Sequence, residues 1–104
     1  MVVAEEHVLA LIGFALRARK AVLGREACKR AAQRGALRVL VVAADAGASA
    51  ARDCLGHVAV PTVRLAADKR ALGALAGRDT LAVLGITEPQ LAAGICRTAA
   101  EGAV

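Results

Sequence analysis

The segment of this sequence best suited to chemistry is a predicted helix that carries an acid among bases. Glu26 shares one face of that helix with three hydrogen-bond donors at positions i+3, i+4 and i+7. These donors are Lys29, Arg30 and Gln33. The arrangement fits a surface ion pair worth about 0.2–0.5 kcal/mol. It fits equally a surface that reads nucleic-acid bases, where a carboxylate accepts hydrogen bonds from base amino or imino groups.

Gly24 stands at the predicted start of the same helix. Free backbone N–H groups and the helix dipole make such a start favourable for a phosphate group. Arg25 and Lys29 flank this helix start with positive charge. We therefore predict a phosphate contact at Gly24.

The positive charge of the chain is concentrated around this helix. The whole sequence has a net charge of +5, but residues 17–38 hold eight basic residues against one acidic residue, a net charge of +7. The rest of the chain holds six basic and eight acidic residues, a net charge of −2. Such a local excess is typical of a surface that binds a polyanion. For Arg17, Arg19, Lys20, Arg30 and Arg34, complementing a helix dipole or forming a solvated face is an equally good interpretation.

Other chemistries find little support in the sequence. No phosphate-binding motif of the G-x-G-x-x-G or P-loop type is present. We interpret Gly73 and Gly77 as residues that interrupt or end a helix. Ser49 lacks the G-x-S-x-G setting of a hydrolase nucleophile and is interpreted as a helix cap. Glu5-Glu6 is the one close carboxylate pair, and a helix dipole explains acids at a helix start. We expect no catalytic activity and no small-molecule substrate.

The cysteines and the remaining composition set further expectations. Cys28, Cys54 and Cys96 are widely spaced, which favours three reduced, mostly packed thiols over a disulfide or a zinc site. Phe14 is the one aromatic residue, so RNA cannot be bound on a platform of stacked rings. The apolar stretches are too short for a membrane span, and acids stand where a signal peptide is basic. We expect one cytoplasmic, monomeric domain over residues 1–104, without cofactor, metal or membrane partner.

The periodicity of apolar residues predicts the elements that position these side chains. Apolar residues recur at helical spacing in the first segment, and continuous β-branched runs indicate buried strands. Helices are predicted over 5–18, 25–34, 46–55, from Asp68 through 76, and from 87–89 onward; strands are predicted over 37–43, 62–65 and 81–86. This alternation of helices and strands favours an α/β/α sandwich.

Several segments resemble one known family. Residues 24–29 look like the G-x-N-E-x-x-K type element of the ribosomal kink-turn RNA-binding family, the large-subunit "L-seven-Ae" group. Residues 35–46 are similar to its G-x-x-x-L-V-x-x-A-x-D-A strand and turn, and Val60-Pro61 is similar to its I-P. Leu72-Gly73 with Gly77 matches its L-G-x-x-x-G helix, and residues 81–87 resemble its penultimate strand. Residues 11–20 look most like the bacterial YlxQ-like branch, so the resemblance covers essentially the whole chain.

The resemblance implies a three-layer α/β/α sandwich around a four-stranded mixed sheet, with an additional short strand near residues 21–23. It also implies binding of structured RNA, because family members read sheared G·A pairs with an Asn-Glu dipeptide and a lysine one turn on. Glu26 and Lys29 match that pattern, whereas Arg25 stands where many members have asparagine. The acid of the A-x-D element corresponds to Asp45, near the family's RNA face, with a helix cap as the alternative.

The family also contacts RNA through the loop that follows its fourth helix, which here is the short, polar segment 77–80 containing Arg78. The predicted RNA-binding residues are Lys20, Gly24, Arg25, Glu26, Lys29, Arg30, Asp45 and Arg78. A protein-interaction module on the same fold is the alternative function, since related folds also serve as adaptors.

Overall fold

The computed structural model describes residues 3–102 and contains five helices and four strands in that range. In chain order they are α1 (Val3–Arg17), β1 (Ala21–Leu23), α2 (Arg25–Gln33), β2 (Val39–Val42), α3 (Ala50–Leu55), β3 (Thr62–Arg64), α4 (Lys69–Ala76), β4 (Val83–Ile86) and α5 (Pro89–Gly102). The short strand β1 forms where the family resemblance implies it. Strand β4 is the last strand of residues 3–102, so the match of residues 81–87 to a penultimate strand is wrong. Helix α3 begins four residues later than predicted, because the alanine-rich segment 46–49 forms a turn.

The four strands form one mixed sheet in the order β1-β4-β2-β3. Strand β4 is antiparallel to both of its neighbours, β1 and β2, whereas β2 and β3 are parallel. Residue 86 pairs with residue 21 on one side and with residue 39 on the other. The predicted four-stranded mixed sheet is therefore confirmed.

Helices cover both faces of this sheet. Alternate residues of β2 point to opposite faces, as the pleat of a strand requires, and all four are buried. Val39 and Val41 pack with α1, α4 and α5, whereas Leu40 and Val42 pack with α2 and α3. The predicted three-layer α/β/α sandwich is confirmed.

The strand directions give the sheet two distinct ends. At the upper end β1, β2 and β3 finish and β4 begins, so the loops that follow Leu23, Val42 and Arg64 meet the loop that precedes Val83. At the lower end β1, β2 and β3 begin and β4 finishes. The loops of the upper end are therefore neighbours in space although they are far apart in sequence.

Helix ends agree with the predictions at both ends of α4 and at the C-terminus of α3, which Gly56 ends, but not at the start of α3. The Asp68 carboxylate accepts a hydrogen bond of 2.9 Å from the N–H of Ala71, and Gly77 ends α4 in the left-handed conformation at φ 76°. Ser49 occupies the N-cap position of α3, but its hydroxyl donates to the Asp53 carboxylate at 3.3 Å and caps no backbone group. The cap assigned to the Ser49 side chain is therefore wrong.

A carboxylate near the start of α1 has a role that a helix dipole does not explain. The two oxygens of Glu5 accept hydrogen bonds from the N–H groups of Ala66 and Ala67, each at 2.8 Å. This contact joins residues more than 60 positions apart in sequence. It ties the loop between β3 and α4 to α1 at the upper end of the sheet.

Candidate nucleic-acid interface

The start of α2 carries free backbone donors. Gly24 lies at φ 88°, donates its N–H to the carbonyl of Val83 at 3.1 Å, and accepts from the N–H of Cys28 at 3.0 Å. No side chain caps α2. Within the described part of the chain, the N–H groups of residues 25–27 therefore have no hydrogen-bond partner, which leaves them available to an anionic ligand.

The conformation of Gly24 also allows a second basic side chain to approach. A positive φ favours glycine at this position. The Nη1 atom of Arg78 lies 3.8 Å from the place where a β-carbon on Gly24 would be. The structure thus brings Arg78 to the start of α2, although 54 residues separate it from Gly24 in sequence.

Gly73 holds the loop of Arg78 close to α4. The N–H of Arg78 donates to the carbonyl of Gly73 at 2.8 Å, and the N–H of Leu81 donates to the carbonyl of Lys69 at 2.9 Å. A β-carbon on Gly73 would lie 2.8 Å from the carbonyl oxygen of Arg78 and from the Cα of Thr80. Gly73 lies inside α4 and permits the backbone of residues 78–80 to pack closely against the helix. Its interpretation as a residue that interrupts or ends a helix is therefore wrong.

Arg25 is tied to α3 by an ion pair. Its Nη1 atom lies 2.9 Å from Oδ2 of Asp53, and the two side chains are 47% and 48% exposed. The Nη2 atom of Arg25 is also 3.8 Å from the position of a β-carbon on Gly47, in the loop between β2 and α3. Surface pairs of this kind contribute only about 0–1 kcal/mol. Arg25 can therefore leave Asp53 for a stronger acceptor at little cost.

Glu26 is exposed and lies on the outer face of α2, where sequence spacing predicts it. No ion pair or side-chain hydrogen bond joins it to Lys29 or Arg30, since Arg25–Asp53 is the one ion pair within residues 3–102. The surface-pair explanation for Glu26 is therefore not supported. Its carboxylate remains an unpaired acceptor one turn away from basic side chains.

Asp45 lies at the upper end, but its carboxylate already has a partner. Oδ1 of Asp45 accepts a hydrogen bond of 2.8 Å from the N–H of Lys69, the first residue of α4. Nη1 of Arg64 binds the carbonyls of Ala43 and Ala44 at 3.1 and 3.2 Å, which fixes the preceding turn. Asp45 thus caps the start of α4, a helix distant in sequence, and not the helix that follows it along the chain.

Lys20 is not brought to this site. Its carbonyl accepts hydrogen bonds from the N–H and the hydroxyl of Thr87, at 2.9 and 3.1 Å, which places it at the lower end of the sheet. Strand β1 runs from Lys20 toward Gly24 and separates the two by about 13 Å of extended chain. Arg30 lies on the outer face of α2, one turn beyond Glu26.

The thiols provide no reactive group at this interface. Burial raises the pKa of Cys28 from 9.0 to about 12, and burial also raises the pKa values of Cys54 and Cys96. All three cysteines are free, as predicted, and two of them are buried. Over residues 3–102, no group of three or more His, Cys, Asp or Glu side chains is arranged to hold a metal ion.

No helix in the described part of the chain has the length and apolarity needed to cross a membrane.

No protein-family model and no curated protein matches the sequence. Among solved structures, the fold is similar to that of a protein of unknown function from Bacillus halodurans, with a TM-score of 0.80, 24% identity, and coverage of 89% of this chain and 96% of that one. It is also similar to the 15.5 kD RNA-binding protein of Giardia lamblia, with a TM-score of 0.70, 19% identity, and coverage of 94% of this chain and 86% of that one. The chain therefore has the α/β/α fold of these two proteins.

Proposed function

We propose that this chain is an RNA-binding protein of the ribosomal kink-turn family, in its YlxQ-like branch, and that it grips structured RNA with the start of α2. The observation that carries the proposal is an unpaired, exposed Glu26 carboxylate beside three free backbone N–H groups. The similarity of the fold to an RNA-binding protein from Giardia lamblia adds support. We further propose that the protein acts as a monomeric, cytoplasmic domain.

The donors at this site suit a phosphate backbone. The N–H groups of residues 25–27 and the dipole of α2 favour an anion. Arg78 lies beside Gly24, and Lys29 lies one turn along the helix from Arg25. Such contacts position an RNA strand without reading its sequence. Arg25 joins them once its guanidinium turns from Asp53 to a phosphate.

Glu26 supplies the selective part of the contact. A carboxylate repels phosphates, so it favours RNA binding only where it accepts hydrogen bonds from base N–H groups. In a sheared G·A pair the imino group of guanine is not used in pairing and can donate to Glu26. We thus assign Glu26 to guanine in tandem G·A pairs. The surrounding basic side chains are assigned to the phosphates of the RNA backbone.

The test compares two RNAs and two variants. Fluorescence anisotropy measures affinity for a kink-turn RNA with tandem G·A pairs and for a plain duplex of equal length. We expect Lys29→Ala to weaken both complexes and Glu26→Ala to weaken only the kink-turn complex, by about 1–3 kcal/mol. Equal wild-type affinity for both RNAs contradicts kink-turn specificity, and the absence of binding at low salt contradicts RNA binding altogether.

An adaptor function is the second candidate, and one observation favours it. Phe14 on α1 is 55% exposed, and Leu75 on the adjacent α4 is 39% exposed. Aromatic and aliphatic side chains of this kind anchor protein interfaces. The adaptor role predicts that Phe14→Ser binds RNA like the wild type but no longer binds a protein that the wild type binds.

A further inference from the structure

Two basic residues flank the end of β4 at the lower end of the sheet. Lys20 precedes β1 and Arg38 precedes β2, and both flank the end of β4, which lies between those strands. The carbonyl of Lys20 accepts from the N–H of Thr87 at 2.9 Å, and the N–H of Arg38 donates to the carbonyl of Ile86 at 2.8 Å. Two strand spacings, about 10 Å, therefore separate Lys20 from Arg38.

Two further arginines extend this group. Arg19 adjoins Lys20, and Arg34 ends α2 four residues before Arg38. We name these four residues, Arg19, Lys20, Arg34 and Arg38, the lower basic edge. All four side chains are exposed. Arg17 does not belong to it, because its Nη1 atom lies 3.5 Å from the position of a β-carbon on Gly13, one turn back along α1.

No acid within residues 3–102 forms an ion pair with the lower basic edge. Glu88, the acid near this end, uses its two carboxylate oxygens to accept from the N–H groups of Gln90 and Leu91, at 2.7 and 3.0 Å. The four like charges repel one another, and no ion pair within residues 3–102 offsets that repulsion.

Helix dipoles and backbone preference do not explain the whole group. The dipole of a helix stabilises a cation near its C-terminus, which applies to Arg19, Lys20 and Arg34. Arg38 stands at the start of a strand and gains nothing from a dipole. Arg19 also has a φ of 59°, a left-handed conformation that is unfavourable for an arginine. The lower basic edge therefore indicates a ligand.

The outer face of α2 connects this edge to the start of α2. Helix α2 has nine residues and is about 14 Å long. Lys29 and Arg30 are exposed in its middle, where Lys29 lies about one helical turn from Arg25 and Arg30 lies about one helical turn from Arg34, or about 6 Å in each case. These side chains join the two basic groups into one basic track along α2, with Glu26 as the one acid in it.

The chemistry of this track fits a phosphate backbone better than a protein surface. The large exposed apolar side chains of the described chain are Phe14, Val58 and Leu75, and none belongs to α2 or to residues 34–38. A protein interface usually contains a buried apolar or aromatic anchor. Phosphate contacts require only accessible positive charge.

We propose that RNA held at the start of α2 continues along the outer face of α2, and that its phosphate backbone contacts the lower basic edge. This inference rests on the proposed function and adds a second contact surface to it. A bound RNA with long flanking helices therefore contacts both ends of the sheet, whereas an RNA that ends near the G·A pairs contacts only the upper end.

The experiment uses two kink-turn RNAs that differ only in the length of their flanking helices. Each flanking helix has about 4 base pairs in the short RNA and about 16 base pairs in the long RNA. The lower-edge variant is Lys20→Ala with Arg34→Ala and Arg38→Ala. The control variant is Arg52→Ala with Arg70→Ala and Arg97→Ala, which removes the same charge from exposed positions on α3, α4 and α5. Affinity is measured over a range of salt concentrations.

We expect the lower-edge variant to bind the long RNA at least about tenfold more weakly than the control variant, with a log–log salt slope smaller by about 2–3. Both variants should bind the short RNA equally. The proposal is overturned if the lower-edge and control variants bind the long RNA alike, or if the lower-edge variant is equally impaired on both RNAs. The effect of Glu26→Ala on the short RNA reports separately on the proposed function.

Discussion

Replacing Gly73 by alanine tests how the candidate site is assembled. The added β-carbon would lie 2.8 Å from the carbonyl oxygen of Arg78 and from the Cα of Thr80, whereas ordinary contact begins at 3.4 Å. Both neighbours are backbone atoms and cannot rotate away. The loop that carries Arg78 must therefore move outward by about 0.6 Å, since packed interiors have little free space.

The expected change in stability combines two opposing effects. Overpacking of this kind costs about 1–3 kcal/mol. Alanine in place of glycine inside a helix gains about 0.8–1 kcal/mol. Gly94→Ala in α5 is the matched control, because its β-carbon would lie 3.5 Å from Cδ1 of Leu11, an ordinary contact. The free energy of unfolding should therefore be about 1–3 kcal/mol lower in Gly73→Ala than in Gly94→Ala.

Urea unfolding measures this difference, and RNA affinity measures its consequence. Displacement of the loop moves Arg78 away from Gly24, so Gly73→Ala should bind kink-turn RNA more weakly while Gly94→Ala binds like the wild type. Equal unfolding free energies of the two alanine variants would refute the packing argument. Unchanged affinity in a destabilised Gly73→Ala would refute the role of this loop in binding.

Three further predictions concern stability. Arg19→Gly should raise the free energy of unfolding by about 0.5–1 kcal/mol, because glycine adopts the left-handed backbone conformation of this position without strain. A lower free energy of unfolding in urea would contradict this prediction. Glu5→Ala should lower the free energy of unfolding by about 1–3 kcal/mol, because the N–H groups of Ala66 and Ala67 lose their acceptor. The control Glu6→Ala should change it by less than about 0.5 kcal/mol. Similar values for the two variants would contradict the role of Glu5. Burial raises the pKa of Cys28 from 9.0 to about 12, so the thiol ionises first in the unfolded chain, and the free energy of unfolding should fall as the pH rises from 9 toward 12. Cys28→Ala should show a smaller fall over this range. A Cys28→Ala profile identical to that of the wild type would contradict the effect.

The sequence predicts most elements of this fold because their periodicities are strong. The helix of residues 25–34 and the buried strand of residues 37–43 carry clear patterns, and both form with ends that differ by a few residues. Strand β1 has three half-buried residues, too few for an alternating pattern. Only the family resemblance indicates it, and its pairing with β4 stabilises it in the structure.

The site is only partly predictable, because spacing within a helix is local information whereas contacts between loops are not. Glu26 and Lys29 share the helix face that their spacing predicts. The Arg25–Asp53 ion pair joins residues 28 positions apart, and no local pattern indicates it. Lys20 is four residues from Gly24 in sequence, yet an extended strand places the two at opposite ends of the sheet.

The most direct test of RNA binding at the start of α2 is a titration of ¹⁵N-labelled protein with kink-turn RNA, followed by two-dimensional NMR of the backbone amides. The free N–H groups of residues 25–27 should show the largest chemical-shift changes, together with the hydrogen-bonded backbone amide of Arg78. Changes confined to the surroundings of Phe14 and Leu75, or no changes at low salt, would contradict the proposed site.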